Sequence, residues 1–559
     1  MTQAFSAWLD DFFTSYYQHR PVNATFIGIH DYDPLLPDYS PQGVDAVQRE
    51  MASLLRRLDD HSVAPPQTSV EETDRRLATG FLRTQQWEYN SRHFRYGNPS
   101  VYTGEAIFSI LSLFLHPFAP VVERVESAMA RLEAIPTLLA QGEANVRTAP
   151  AAWTQRAIRE AGGAIRFLGN GIALLITTEG ITSPHFRAAA DRARTAVARY
   201  QEHLRTQVTE DAEDQYACGE EAFEMYMREG HQLDRDGTEV ARYAREQFAQ
   251  AQAALNAGAA RFGARNWREA LAQLPHIHPT SQDYYQRYQA LWDTCRATAE
   301  AHGLITWPDF PIRYVPQPVW VRECAPYLYF LHYYTPAPYD HMPMHDYFVT
   351  PIEPTMPPEE QFRLLRATNE SMIKLNHVIH HGSIGHHVQN WHAPRAASRV
   401  GQMAGVDTSA RIAMFCAGTM VEGWASYVVD LMDEAGFLTS LESYSRHHAR
   451  LRASARAIVD VNLHYGLFSF EDAVAFYRDD VGMNADAAAD EVVKNSMFPG
   501  AAMMYLIGQD AIHNLRRELA AREKAEFSLR RFHDRFLSHG AIPVSLIAHS
   551  MRTESHHCP

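Results

Sequence analysis

The sequence predicts a mainly α-helical, two-lobed protein with one small β-sheet beside its active cleft. Three observations carry that expectation. Apolar residues recur every three to four positions through long Ala-rich stretches, the period of an amphipathic helix. One stretch, Pro311 to Pro354, instead gathers aromatic and β-branched residues between prolines. No repeat or low-complexity linker divides the 559 residues, which favours lobes with a continuous interface over independent modules. The expected lobes are a helical one over 1–220 and a site-bearing one over 221–559.

Helices are expected over Ala128 to Ala144, Ala188 to Gln207, Val240 to Arg261 and Tyr285 to His302. Turn signals separate them at Asn98-Pro99, Thr182-Ser183-Pro184, Leu274-Pro275 and Trp307-Pro308. Short strands are expected at Ile312 to Val315, Val319 to Val321, Tyr327 to Phe330 and Tyr347 to Thr350. Such a sheet either caps the helical core or offers an edge to an extended substrate. A further helix from Pro358 to Ile379 follows, with Leu364, Leu365, Met372, Leu375 and Val378 as core positions.

Composition narrows the function classes. The net charge of -15, without a long single-sign block, argues against nucleic acid or an anionic membrane as partner. The five cysteines are widely spaced and form no CxxC pair, so neither a disulfide framework nor a thiolate metal site is expected. The N-terminus lacks a basic region before an apolar one, and no apolar run of spanning length is read. A cytoplasmic protein is the expectation, its oligomeric state unspecified. No GxGxxG, Walker or GxSxG element is present, which disfavours nucleotide binding and α/β-hydrolase chemistry.

The chemistry concentrates in one place. Between His377 and His387 five histidines occupy eleven positions. Imidazole is the commonest neutral metal ligand, so this density predicts a metal centre. His377 and His381 have the four-residue spacing of one helical face, and His380 and His387 also share a face. His380 and His386 would meet only if Gly382 and Gly385 bent the chain. Spacing does not choose among these pairs. Glu422, in Glu422-Gly423-Trp424-Ala425, is a nearby candidate carboxylate, although acid in a first helical turn ordinarily serves the helix dipole.

Taken together, these motifs resemble the DUF885 family, bacterial proteins similar to zinc-dependent peptidases. The pattern H-E-x-x-P-G-H-H-x-Q matches His380, Gly385, His386, His387 and Gln389. E-G-W-A matches Glu422 to Ala425. R-x-x-x-D-x-x-x-H matches Arg456, Asp460 and His464, and the Pro-Gly signature runs from Pro499 to Gly508. The opening Pro21 to Asp33 and the ending Phe532 to Pro543 also fit. The resemblance implies a zincin-like, helical metallopeptidase-type architecture. It further implies a divalent ion, zinc first and iron second, on His380, His386 and Glu422, an open His₂Glu arrangement.

The sequence departs from the family pattern at expected catalytic positions. His381 stands where the family has its catalytic Glu, and Ile384 where it has Pro. Lys494-Asn495 replaces an Arg-Tyr pair, and Ala501 a Gln. The expected function is hydrolysis of a peptide or amide bond in a peptide-like or small-molecule substrate through metal-activated water. His381 would serve as base, with Tyr505 or Lys494 steadying the oxyanion. The alternative is a divergent member that uses the site for another reaction, or for binding alone. His377 and His387 are candidates for further ligation or for orienting the ligands.

Overall fold

In a computed structural model the protein is predominantly helical. The structure describes residues 3–59, 68–210, 216–327, 334–407 and 417–554. The chain forms two compact units. The first comprises Met1–Tyr216, Gln317–Met342 and Val406–Met414; the second comprises Ala217–Pro316, Pro343–Gly405 and Phe415–Pro559. Two excursions thus leave the second unit and join the first.

The four expected helices form, as Val121–Asn145, Pro184–Thr206, Gly237–Gly258 and Tyr284–Ala301. Pro136 lies inside the first of these. The Gly237–Gly258 helix begins with a full capping box, Asp236 accepting from the Glu239 amide while Glu239 returns the bond. Its apolar face, with Val240, Ala241 and Ala244, packs on Ala457, Ile458 and Val461 of the Ser440–His464 helix. The small Ala side chains permit this close packing.

The strand-rich segment forms less sheet than expected. Ile312–Pro316 pairs in parallel with His345–Val349, Ile312 opposite His345 and Tyr314 opposite Tyr347. Val319–Val321 is a turn rather than a strand, because Pro318 denies a ladder donor and its carbonyl accepts the Val321 amide in a tight bend. Tyr327 lies in a 3₁₀ turn, and 328–330 fall outside the described residues. A second pair of two-residue strands, Thr148–Ala149 with Thr209–Glu210, lies in the first unit.

The predicted Pro358 to Ile379 helix is broken in two. An α-helix covers Pro358–Ala367, and Met372–Gly382 follows as a π-helix. Asn369 makes the break, its side chain accepting from the Met372 amide at 3.1 Å. Re-phasing of the helix leaves Met372 41% exposed rather than in the core, whereas Leu365 and Val378 are buried. The stretch Ala151–Glu179 is long and apolar enough to cross a membrane by length and composition, which corrects the expectation of no such run. Half of its apolar window is buried inside the protein.

The first unit is organised around a buried polar network. Arg131, fully buried, donates to the carbonyls of Ser109 at 2.7 Å and Leu35 at 3.1 Å and to the Thr25 hydroxyl at 2.7 Å. Thr25 donates in turn to Asp33 at 2.6 Å. His30 bridges Asp33 and Asp340, with both contacts at 2.8 Å, and stacks on Phe118. Burial pulls the His30 imidazole down, but the two carboxylates outweigh it and raise its pKa from 6.5 to about 9. A raised pKa means that stability from the charged form is complete below pH 6.5 and lost as pH rises through about 9. His30→Gln should therefore lower the denaturation midpoint most in acid. The gap from wild type should close by about pH 9 when thermal melts are run across pH.

Candidate functional site

The turn between the π-helix and the His386–His392 helix brings the two motif histidines together. The Gly385 amide reaches back to the Ile379 carbonyl at 3.0 Å, and Ser383 Oγ to the Val378 carbonyl at 2.9 Å. A Cβ at position 385 would lie 1.9 Å from the His380 carbonyl oxygen, so only glycine permits the fold-back. Two buried indoles satisfy carbonyls of the same turn. Trp292 Nε1 donates to Gly382 at 2.7 Å, and Trp424 Nε1 donates to Ile384 at 3.0 Å. Each such buried bond contributes about 1 kcal/mol. The His380 and His386 rings end 4.8 Å apart between centroids.

Glu422 arrives on the Gly418–Glu434 helix. That helix crosses Met504–Glu523 at bare backbone: a Cβ on Gly423 would meet Gly508 Cα at 2.6 Å, and one on Gly508 the Thr419 carbonyl at 2.0 Å. The crossing sets Glu422 and Tyr505 on neighbouring helices. Glu422 Oε2 stands 3.3 Å from His380 Nε2 and 3.7 Å from His386 Nε2. This oxygen is buried and makes no hydrogen bond of sound geometry among the described residues. Burial opposes its charge, yet the two imidazoles hold the carboxyl well below its usual range. Burial also lowers His380, with Glu422 opposing it, and thus favours the neutral imidazole that a metal requires.

His381 joins the same cluster: ligand atoms of His380, His381 and His386 all lie within 4.8 Å of one another. His381 Nδ1 lies 2.9 Å from the Asn376 carbonyl and must donate to it, so Nε2 carries the lone pair. Burial, then the neighbouring imidazoles, push His381 well below its ordinary value. The other two histidines of the segment are engaged elsewhere. His377 Nδ1 bonds the Tyr347 hydroxyl at 2.6 Å, while His387 bonds the Phe310 carbonyl at 2.7 Å and stacks on the Phe310 ring. Two nitrogens, a carboxylate oxygen and a third nitrogen beside them form a donor set that suits a divalent ion.

Tyr505 and Lys494 border the acid side. Arg456 lies against the Tyr505 ring at 4.6 Å and is held by Glu491 through Nε at 2.6 Å and Nη2 at 3.1 Å. Arg452 contributes a further bond to Glu491 at 2.9 Å. Burial and the Glu422 charge push the Tyr505 phenol well above its ordinary value, so it remains a donor. Burial, reinforced by Arg456, lowers Lys494. Asp460, fully buried, accepts the amides of Gly500 at 3.1 Å, Ala502 at 2.9 Å and Met503 at 2.9 Å. It thereby fixes the turn from which the Tyr505 helix starts. Sequence reading missed Glu491, whose only trace is the Arg452–Arg456 pair one helical turn apart.

Other histidine, methionine and cysteine side chains lie apart from the cluster or outside the described residues. His345 is buried in its strand, while His341 is exposed. Met497, Met503 and Met504 are buried core. His556, His557 and Cys558 lie outside the described residues. Cys218, Cys295 and Cys324 are free thiols.

Gly508→Ala tests the helix crossing. A backbone carbonyl at 2.0 Å cannot yield as a flexible side chain could, so the helices must separate. The substitution should cost about 1–3 kcal/mol in chemical denaturation and disorder Glu422 relative to the histidines.

Comparisons with known proteins give the fold relatives. A candidate lipoprotein of unknown function from Shewanella oneidensis superposes with a TM-score of 0.77 at 20% identity, covering 99% of this chain and 100% of that one. A candidate lipoprotein from Colwellia psychrerythraea has a TM-score of 0.77 at 16% identity, covering 100% of this chain and 99% of that one. No curated protein sequence matches. These relatives overturn the cytoplasmic expectation, because lipoproteins are membrane-anchored. A lipid anchor is covalent and needs no spanning helix, so the features on which that expectation rested do not fix a compartment. The model of DUF885, bacterial protein of unknown function, matches residues 21–551, and the chain belongs to that family.

Proposed function

We propose that the protein is a metal-dependent hydrolase of peptide or amide bonds, with a zincin-like site built from His380, His386 and Glu422. The single observation that carries this reading is the convergence of two imidazole nitrogens on one buried carboxylate oxygen, at 3.3 and 3.7 Å. When bound there, a divalent ion, zinc first and iron second, supplies Lewis acidity and acidifies water. His381 takes the proton from the attacking water through Nε2, its tautomer set by the Asn376 carbonyl. The Tyr505 hydroxyl and Lys494 ammonium stabilise negative charge developing on the carbonyl oxygen. Arg456 and Glu491 keep Tyr505 in place.

A second reading has its own support. The three histidine nitrogens share one 4.8 Å cluster, so His381 can be a further ligand. His381 is then not the base, and the site serves a different reaction or binding alone.

Elemental analysis of protein purified without added metal should find about one equivalent of divalent ion. Glu422→Gln should lose most of it. No metal in the wild type, and none regained on titration, would reject the site. His381→Ala separates the two readings. The hydrolase reading predicts retained metal with turnover of a peptide library reduced about 10²–10⁴-fold. Metal lost together with activity establishes His381 as a ligand.

A further inference from the structure

The π-helix that carries His380 at one end borders a separate cavity at the other. This cavity, about 730 Å³, lies in the second unit and is lined by Lys374, Glu442, Arg287, Glu370, Leu291 and Phe437 among others. Its size falls within the range of small-molecule sites. Two ion pairs furnish its polar wall. Lys374 Nζ donates to Glu442 Oε2 at 2.9 Å, with the two side chains only 9% and 3% exposed, and sits 4.5 Å from the Phe437 ring centroid. Arg287 Nε donates to both oxygens of Glu370, at 2.9 and 2.8 Å, and Nη2 bonds it as well.

These pairs leave capacity for a ligand. The Lys374 ammonium has three donors, of which Glu442 takes one among the described residues. Arg287 Nη1 makes no hydrogen bond among the described residues. A buried ammonium with spare donors is costly unless something else completes its shell. The wall presents two cations and two anions in neighbouring pairs, so a ligand of a single charge would meet as much repulsion as attraction. A molecule carrying both charges would not. Leu291, Ala297 and Phe437 offer an apolar surface beside that wall.

We propose that this cavity is a binding site for a small zwitterion with an apolar side chain, an α-amino acid or short peptide. Its carboxylate meets Lys374 and Arg287, its ammonium meets Glu370 and Glu442, and its side chain lies on Leu291 and Phe437. The site does not depend on metal at His380, His386 and Glu422, and binding rather than turnover reads it.

Isothermal titration of the full chain, as purified and after chelation, with L-leucine and with dileucine tests the assignment. Saturable binding of either probe in both preparations is the expected result, and which one binds tells whether the occupant is an amino acid or a peptide. Arg287→Gln should weaken binding about tenfold, the loss of one charge-assisted contact. Thr298→Trp, which fills the cavity without touching either ion pair, should abolish it. The proposal is overturned if neither probe binds or if Thr298→Trp leaves the affinity unchanged. It is equally overturned if isoamylamine or isocaproate, each carrying one of the two charges, binds as tightly as L-leucine.

Discussion

The hydrogen bond from the Trp424 indole to the carbonyl of Ile384 couples the two halves of the candidate site. His380 and His386 belong to one turn, and Glu422 belongs to the Gly418–Glu434 helix. Trp424 sits two residues beyond Glu422 on that helix, so its bond to the turn sets how far the carboxylate stands from the imidazoles. The indole is fully buried against Phe536 and His533. His533 is itself fixed by Tyr427 at 2.8 Å and the Leu304 carbonyl at 2.5 Å. The anchor therefore has a rigid backing, the kind of support that fixes side-chain positions.

Much of this was legible in the sequence, for reasons that differ by residue. The long helices announced themselves because a 3.6-residue apolar period is a local signal. The sequence offered Gly382 and Gly385 as a possible bend but left the histidine pairs open, and only the family resemblance singled out His380 and His386; the structure shows that the fold-back needs glycine at 385. Glu422 could be nominated only through the family motif, since its partners lie 36 and 42 positions away in the chain. The π-helical winding of Met372–Gly382 had no such signature. Its sequence fits an α-helix equally well, and the choice is made by Tyr347, Tyr314 and Trp292, which contact it from elsewhere. The separation of His377 and His387 from the cluster was illegible for the same reason, because each is claimed by a partner from a distant segment.

Charge is handled differently on the two sides of the site. On the histidine side, burial disfavours protonation of His380 and His381. The other side carries fixed charge, with Arg452 and Arg456 on Glu491 and the Tyr505 ring lying on Arg456. A substitution among the histidines therefore alters donor atoms, whereas one among Arg452, Arg456 and Glu491 alters the field around Tyr505 and Lys494.

The glycine crossing at Gly423 and Gly508 has a consequence for biosynthesis. Glu422 is held at its depth by a helix that begins only at Met504. A nascent chain that has emerged through Glu422 has every donor atom of the cluster but no surface to seat the carboxylate. Some eighty further residues must follow before the crossing can close. Until then the histidines stand without the carboxylate that faces them in the folded chain. Completion of the cluster thus waits on the docking of the Met504–Glu523 helix, so the order in which the chain appears decides when the carboxylate joins the imidazoles.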